Sequence, residues 1–126
     1  MNFDSAFTKW LDQSVPADLP PDVRGFLFNL TEVVSGEFEV ELIGAERFDA
    51  DDEDWACEEI WEPTQRSIEI PSGAVGDGWE EVLERMAAMV VDYLSSGSRS
   101  ATLKSADGVG IGFVDGNLKI LWPPNQ

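Results

Sequence analysis

The amino-acid sequence predicts one α+β domain over residues 1–126, in the order ααβββαβββ: two N-terminal helices, an antiparallel sheet with one long helix packed on it, and a C-terminal three-stranded meander. Three observations lead there. The apolar spacing changes from three-and-four to two and back along the chain. One unbroken helical stripe runs from Trp79 to Leu94. Two dipeptides that favour tight hairpin turns, Asp107-Gly108 and Asp115-Gly116, divide the last quarter of the sequence.

Phe3, Phe7, Trp10 and Leu11 follow a possible Asp4 or Ser5 cap, so the first segment reads as a short amphipathic helix ending near Ser14. Pro16, Pro20 and Pro21 break it. Pro21 suits a first helical residue, and Val23, Phe26, Leu27, Leu30 and Val34 make a stripe, which predicts a second helix over about 21–34. After Gly36, Phe38, Val40 and Leu42 alternate with Glu37, Glu39 and Glu41, the pattern of a half-buried strand. Residues 49–54 are too charged to bury and read as a loop. Trp55, Cys57 and Trp61 alternate as a second strand, and Ile68 and Ile70 before Pro71 as a third.

The long helix starts at an Asp77 cap completed by Glu80, and Gly97 offers a left-handed stop. Beyond it, Ala101–Ser105, Val109–Val114 and Leu118–Trp122 form the predicted meander. With 43% hydrophobic residues, including five Trp and seven Phe, the chain can build a core without metals or disulfides.

Twenty-five acidic residues against 8 basic give a formal charge of −17, which repels nucleic acid over most of the surface. The start, Met1-Asn2-Phe3-Asp4, lacks a basic and then apolar leader, and no run approaches the roughly 18 apolar residues of a membrane span. A cytoplasmic protein with no membrane partner is expected, and the single cysteine agrees with a reducing compartment. The chain contains no histidine, so histidine-based nucleophilic, acid–base and zinc chemistry is excluded.

Cys57 reads as a small packing residue. An EF-hand begun at Asp49 would need glycine and glutamate where Asp54 and Ile60 stand, so residues 49–54 read as a solvated acidic loop. Gly108, Gly110 and Gly112 alternate inside a strand rather than opening a helix, so they suit close approach by a helix, a ring or a ligand better than a phosphate. No pair among the many carboxylates stands out as a glycosidase acid and base.

The charge is uneven. Between Glu37 and Glu62 twelve acidic residues face one basic residue, Arg47. A solubility surface would look like this, and so would a surface built to meet a basic partner. The first functional expectation is therefore a non-enzymatic interaction protein that binds and neutralises a basic protein partner, in the manner of a bacterial immunity protein or nuclease inhibitor. Glu37, Glu39, Glu41, Asp49, Asp51, Asp52, Glu53 and Asp54 would dock, with Trp55 and Trp61 as anchors. No catalytic residue, cofactor or metal is assigned. The alternative is a small-molecule binding module or metal-dependent enzyme with a pocket between the long helix and the glycine-bearing strand.

Overall fold

A computed structural model describes residues 2–34, 37–114 and 116–124. The elements are α1 (Phe3–Ser14), β1 (Gly25–Val34), β2 (Glu37–Ala45), a 3₁₀ turn (Glu53–Cys57), β3 (Glu59–Trp61), β4 (Ser67–Ile70), α2 (Trp79–Ser96), α3 (Ser100–Ser105), β5 (Gly108–Phe113) and β6 (Lys119–Trp122). The class is α+β, but the sheet is mixed. Its order is β3-β2-β1-β5-β6, with β4 also on the outer edge of β2; β1 and β5 run parallel and every other pair antiparallel.

The predicted helix over 21–34 is instead the central strand. Pro21 opens a turn in which Asp22 adopts a left-handed backbone (φ 66°). The apolar residues at helical spacing are part of a longer run, Phe26-Leu27-Phe28, that is buried on both sides because β1 is covered on both faces. Such strands lose the alternation that marks half-buried ones. The predicted strand Ala101–Ser105 is α3, in which Leu103 is buried and the Thr102 hydroxyl lies 2.8 Å and 2.9 Å from the Pro16 and Ala17 carbonyl oxygens. Asp107-Gly108 accordingly joins α3 to β5 rather than turning a hairpin, and only β5 and β6 remain of the meander. The second predicted turn, Asp115-Gly116, includes Asp115, which lies outside the described residues.

Three local details also differ. Asn2 caps α1, its Oδ1 accepting from the Ser5 N–H at 2.9 Å. Gly78 occupies the cap position of α2, and it is Glu81 that reaches back to accept from the Asp77 N–H at 3.1 Å. Gly97 keeps φ at −68°, so the residue is there for space: a Cβ would run into the Tyr93 ring.

The main core lies on one side of the sheet. Phe26, Phe28 and Leu30 of β1, Val40 and Leu42 of β2, and Val109 and Ile111 of β5 meet Phe7 and Leu11 of α1, Met86 and Val90 of α2, and Leu103 of α3. All three helices thus cover this helical face. The opposite, outer face carries a smaller core of Leu27, Ile43, Ala45 and Trp55, joined by Phe48, Leu118 and Ile120.

Candidate functional site

The outer face has two halves. Towards the start of β1 and β5, glycine leaves the backbone bare: a Cβ at Gly25 would stand 2.7 Å from the Trp55 ring, one at Gly110 would stand 3.3 Å from it, and one at Gly108 would collide with Phe48. Phe48 and Trp55 fill this space, packed edge to face with centroids 4.9 Å apart. The bare strand face predicted from Gly108 and Gly110 therefore receives aromatic rings. Trp55 is completely buried, and its Nε1–H has no hydrogen-bond partner among the described residues.

The acidic loop holds those rings in place. Asp49 Oδ1 accepts from the Asp51 N–H at 2.9 Å, and Asp52 Oδ1 caps the 3₁₀ turn from the Asp54 N–H at 3.0 Å. Glu53 Oε2 accepts from the Leu118 N–H at 3.0 Å, which fastens the loop to the residue just before β6. Asp51 and Asp54 are exposed. The expected second strand through Trp55 is thus a 3₁₀ turn followed by the short β3, and Cys57, read as a packing residue, is exposed there. A turn caps with Asp, and that chemistry outweighs the weak alternation of Trp55, Cys57 and Trp61.

Neither tryptophan is a free anchor. The burial of Trp55 removes it from any surface, while Trp61 is half-buried on the helical face with its ring edge-on to Phe26 at 5.8 Å. Two glycines explain what the sequence pattern hid: Gly25 and Gly110 create the slot that draws Trp55 inward.

Arg66, which the acidic segment's own sequence does not include, folds back onto three of its carboxylates. Its Nε donates to Glu41 Oε2 at 2.9 Å, its Nη2 to Glu59 Oε1 at 2.9 Å, and its Nη1 to both Glu59 and Glu62. Asn29 Nδ2 donates to the other oxygen of Glu41 at 3.1 Å. The hydrogen bond from Arg66 pulls Glu59 below the ordinary carboxyl range, overcoming its partial desolvation. The bonds to Glu59 and then Glu41 raise the Arg66 pKa further. Arg47 stands 3.6 Å from Asp52.

Beyond this hub the outer face is open. The β-ladders set Glu39 opposite Thr31 on one side and opposite Glu69 on the other, while Glu37 pairs with Val34 at the strand's start. Among the described residues no cation forms an ion pair with Glu37, Glu39 or Glu69. Of the ten docking residues read from sequence, this places Glu37 and Glu39 on the open half, Glu41 in the hub, and Asp49, Asp51, Asp52, Glu53 and Asp54 on the loop that closes the other half. Glu69 escaped notice because it is a lone acid between Ile68 and Ile70, and strand register alone brings it to Glu39.

Two hollows bear on the alternative reading. One, of about 360 Å³ between α1 and α2, is lined by Asp4, Asp12 and Asp92. Asp12 Oδ1 already accepts from the Tyr93 hydroxyl at 2.7 Å and the Ser98 hydroxyl at 2.6 Å, tying the two helices together. Burial, followed by Asp12, pushes the Tyr93 pKa up to about 12. The other, of about 460 Å³, lies between Trp79 at the start of α2 and Phe113, Val114 and Gly116 at the end of β5. A hollow thus lies between the long helix and the glycine-bearing strand, but at the strand's end and away from its bare face. Among the described residues no three Asp, Glu or Cys side chains are grouped to hold a metal ion, and no helix is long and apolar enough to cross a membrane. Comparison with protein-family models, curated proteins and solved structures finds no match to this chain.

Proposed function

We propose that the protein is an acidic interaction module that binds and neutralises a basic protein partner through the open half of its outer sheet face. The supporting observation is the carboxylate ladder Glu37, Glu39 and Glu69, with which no cation among the described residues forms an ion pair. Like charges placed directly opposite each other destabilise a sheet. The fold neutralises Glu41, Glu59 and Glu62 with Arg66 a short distance away, yet leaves this ladder to be answered from outside. A lysine- or arginine-rich surface would answer it and be steered towards it.

Glu37, Glu39 and Glu69 are the residues to neutralise, since Asp49, Asp52 and Glu53 also shape the loop. A triple Glu→Gln variant at these positions should fold and melt slightly above the wild type, because it removes the Glu39–Glu69 repulsion. Its association with a partner, captured from native cells at low salt and identified, should slow severalfold in surface plasmon resonance. The difference should shrink between about 0.01 M and 0.15 M salt, as the Debye length falls from about 30 Å to about 8 Å. A wild-type association rate for the folded triple variant at low salt would make the ladder a solubility surface. The second reading, a small-molecule binding module, is favoured by the hollow between Trp79 and β5.

A further inference from the structure

Between β2 and β3 the chain makes a compact excursion whose two ends meet. The Glu46 N–H donates to the Glu58 carbonyl at 3.0 Å, directly beside the Ala45–Glu59 rung of the sheet. Residues 46–58 therefore form an Ω-shaped loop, able to move without unpicking the ladder it hangs from. Its hydrogen bonding is self-contained. The Asp49 carbonyl accepts from the Asp52 N–H at 3.2 Å, that of Asp52 from Trp55 at 3.3 Å and that of Trp55 from Glu58 at 3.2 Å, alongside the Asp49 and Asp52 side-chain caps and the Arg47–Asp52 pair. Among the described residues, the one hydrogen bond or ion pair that joins this loop to the rest of the protein is the bond from the Leu118 N–H to Glu53. What else holds it down is apolar: Phe48, Trp55 and Ala56 pack with Leu27, Ile43, Ala45, Leu118 and Ile120 in a cluster separate from the main core.

Two features oppose this closed position. Burial leaves the Trp55 Nε1–H without a partner among the described residues, a loss that water makes good on exposure. Glu46, Asp49, Asp51, Asp52, Glu53, Asp54 and Glu58 crowd onto the loop against Arg47 alone, so a chain of formal charge −17 repels its own cover. We propose that residues 46–58 are a lid that opens as one unit while the sheet beneath stays folded. Opening needs one polar bond and one small apolar cluster to give way, whereas unfolding also needs β1 to leave both β2 and β5. The outer face thus has two states. Closed, it offers only its polar half; open, it adds an apolar slot at Gly25 and Gly110, beside Leu27 and Ile43. This holds whether or not the polar half docks a basic partner.

Native-state hydrogen exchange, followed by NMR on the full chain in increasing sub-denaturing urea, tests the lid. The Trp55 indole N–H reports on the loop, and the Phe28 amide, in the central strand, reports on the whole fold. The opening constant read from Trp55 should exceed that from Phe28 by at least about 100-fold and change little with urea, while Phe28 responds steeply. Val90→Ala, which thins the core on the far side of the sheet, should speed Phe28 exchange about tenfold and leave the Trp55 indole unchanged. If the two sites share one opening constant and one urea slope, or if Val90→Ala accelerates both equally, the loop opens only when the protein unfolds and there is no lid.

Discussion

Along β2, Ile43 and Ala45 lie buried under Trp55, whereas Glu39 and Glu37, earlier on the same face of the same strand, have no cation beside them among the described residues. The two halves share a sheet, a twist and a solvent. What separates them is the partner strand's side chains: Gly25, Gly108 and Gly110 make a slot that an aromatic ring can fill, while Thr31 and Glu69 offer the next ring nothing to pack on. The closed half is thus a second core. The open half spends stability on like charges that the fold does not use, and Arg66 sits at the boundary between them.

The widest gap between the halves should appear at Trp55. Trp55→Ala should cost about 3–5 kcal/mol in urea unfolding, a large share of a typical total of about 5–15. Trp55→Phe should cost distinctly less than the truncation, because a phenyl ring still fills part of the slot against Phe48, while both variants shed the buried N–H that has no partner among the described residues. A wild-type midpoint for the alanine variant would erase the distinction between the halves.

The boundary should respond less. Arg66→Gln should cost about 1 kcal/mol near neutral pH, the scale of a partly exposed charge network. Glu59 has its folded pKa below its ordinary 4.5, so its contribution is in place above that pH and disappears as the pH falls through the lower folded value. Urea midpoints between about pH 3 and 7 should therefore fall more steeply for the wild type than for Arg66→Gln. Parallel curves would show that Arg66 does not act through Glu59.

On the open half the sign reverses. Glu69→Gln should raise stability by a few tenths of a kcal/mol by relieving Glu39, and the gain should vanish in high salt. A loss of stability would mean that Glu69 is held by favourable contacts and that the ladder is not frustrated.

The sequence made legible those elements that have one dry side. α1, β2 as far as Leu42, β4 and the long α2 follow from their periodicity, because each turns one face to the core and the other outward. β1 was hidden for the opposite reason: Phe26, Leu27 and Phe28 are all buried, so no period survives to separate strand from helix. α3 is too short for its pattern to outweigh Thr and Leu, residues that suit a strand equally well. At the candidate site, the acidic residues were visible as composition, but their division into hub, loop and ladder was not. That division depends on Arg66, Glu69 and Gly25, which reach the segment only through strand pairing and chain reversal.

The parallel pairing of β1 with β5 also sets a timetable for the newborn chain. Gly25 leaves the ribosome well before Gly108, its ladder partner, which follows on the order of several seconds later at about 5–20 residues per second. Until then the strand that will stand at the centre of the sheet is an edge, with Phe26, Leu27 and Phe28 in sequence and one side of its backbone unsatisfied. Contacts this distant along the chain also slow folding once synthesis is complete. The carboxylates crowded between Glu37 and Glu62 emerge during that interval, so newly made copies repel one another while β1 still lacks its partner.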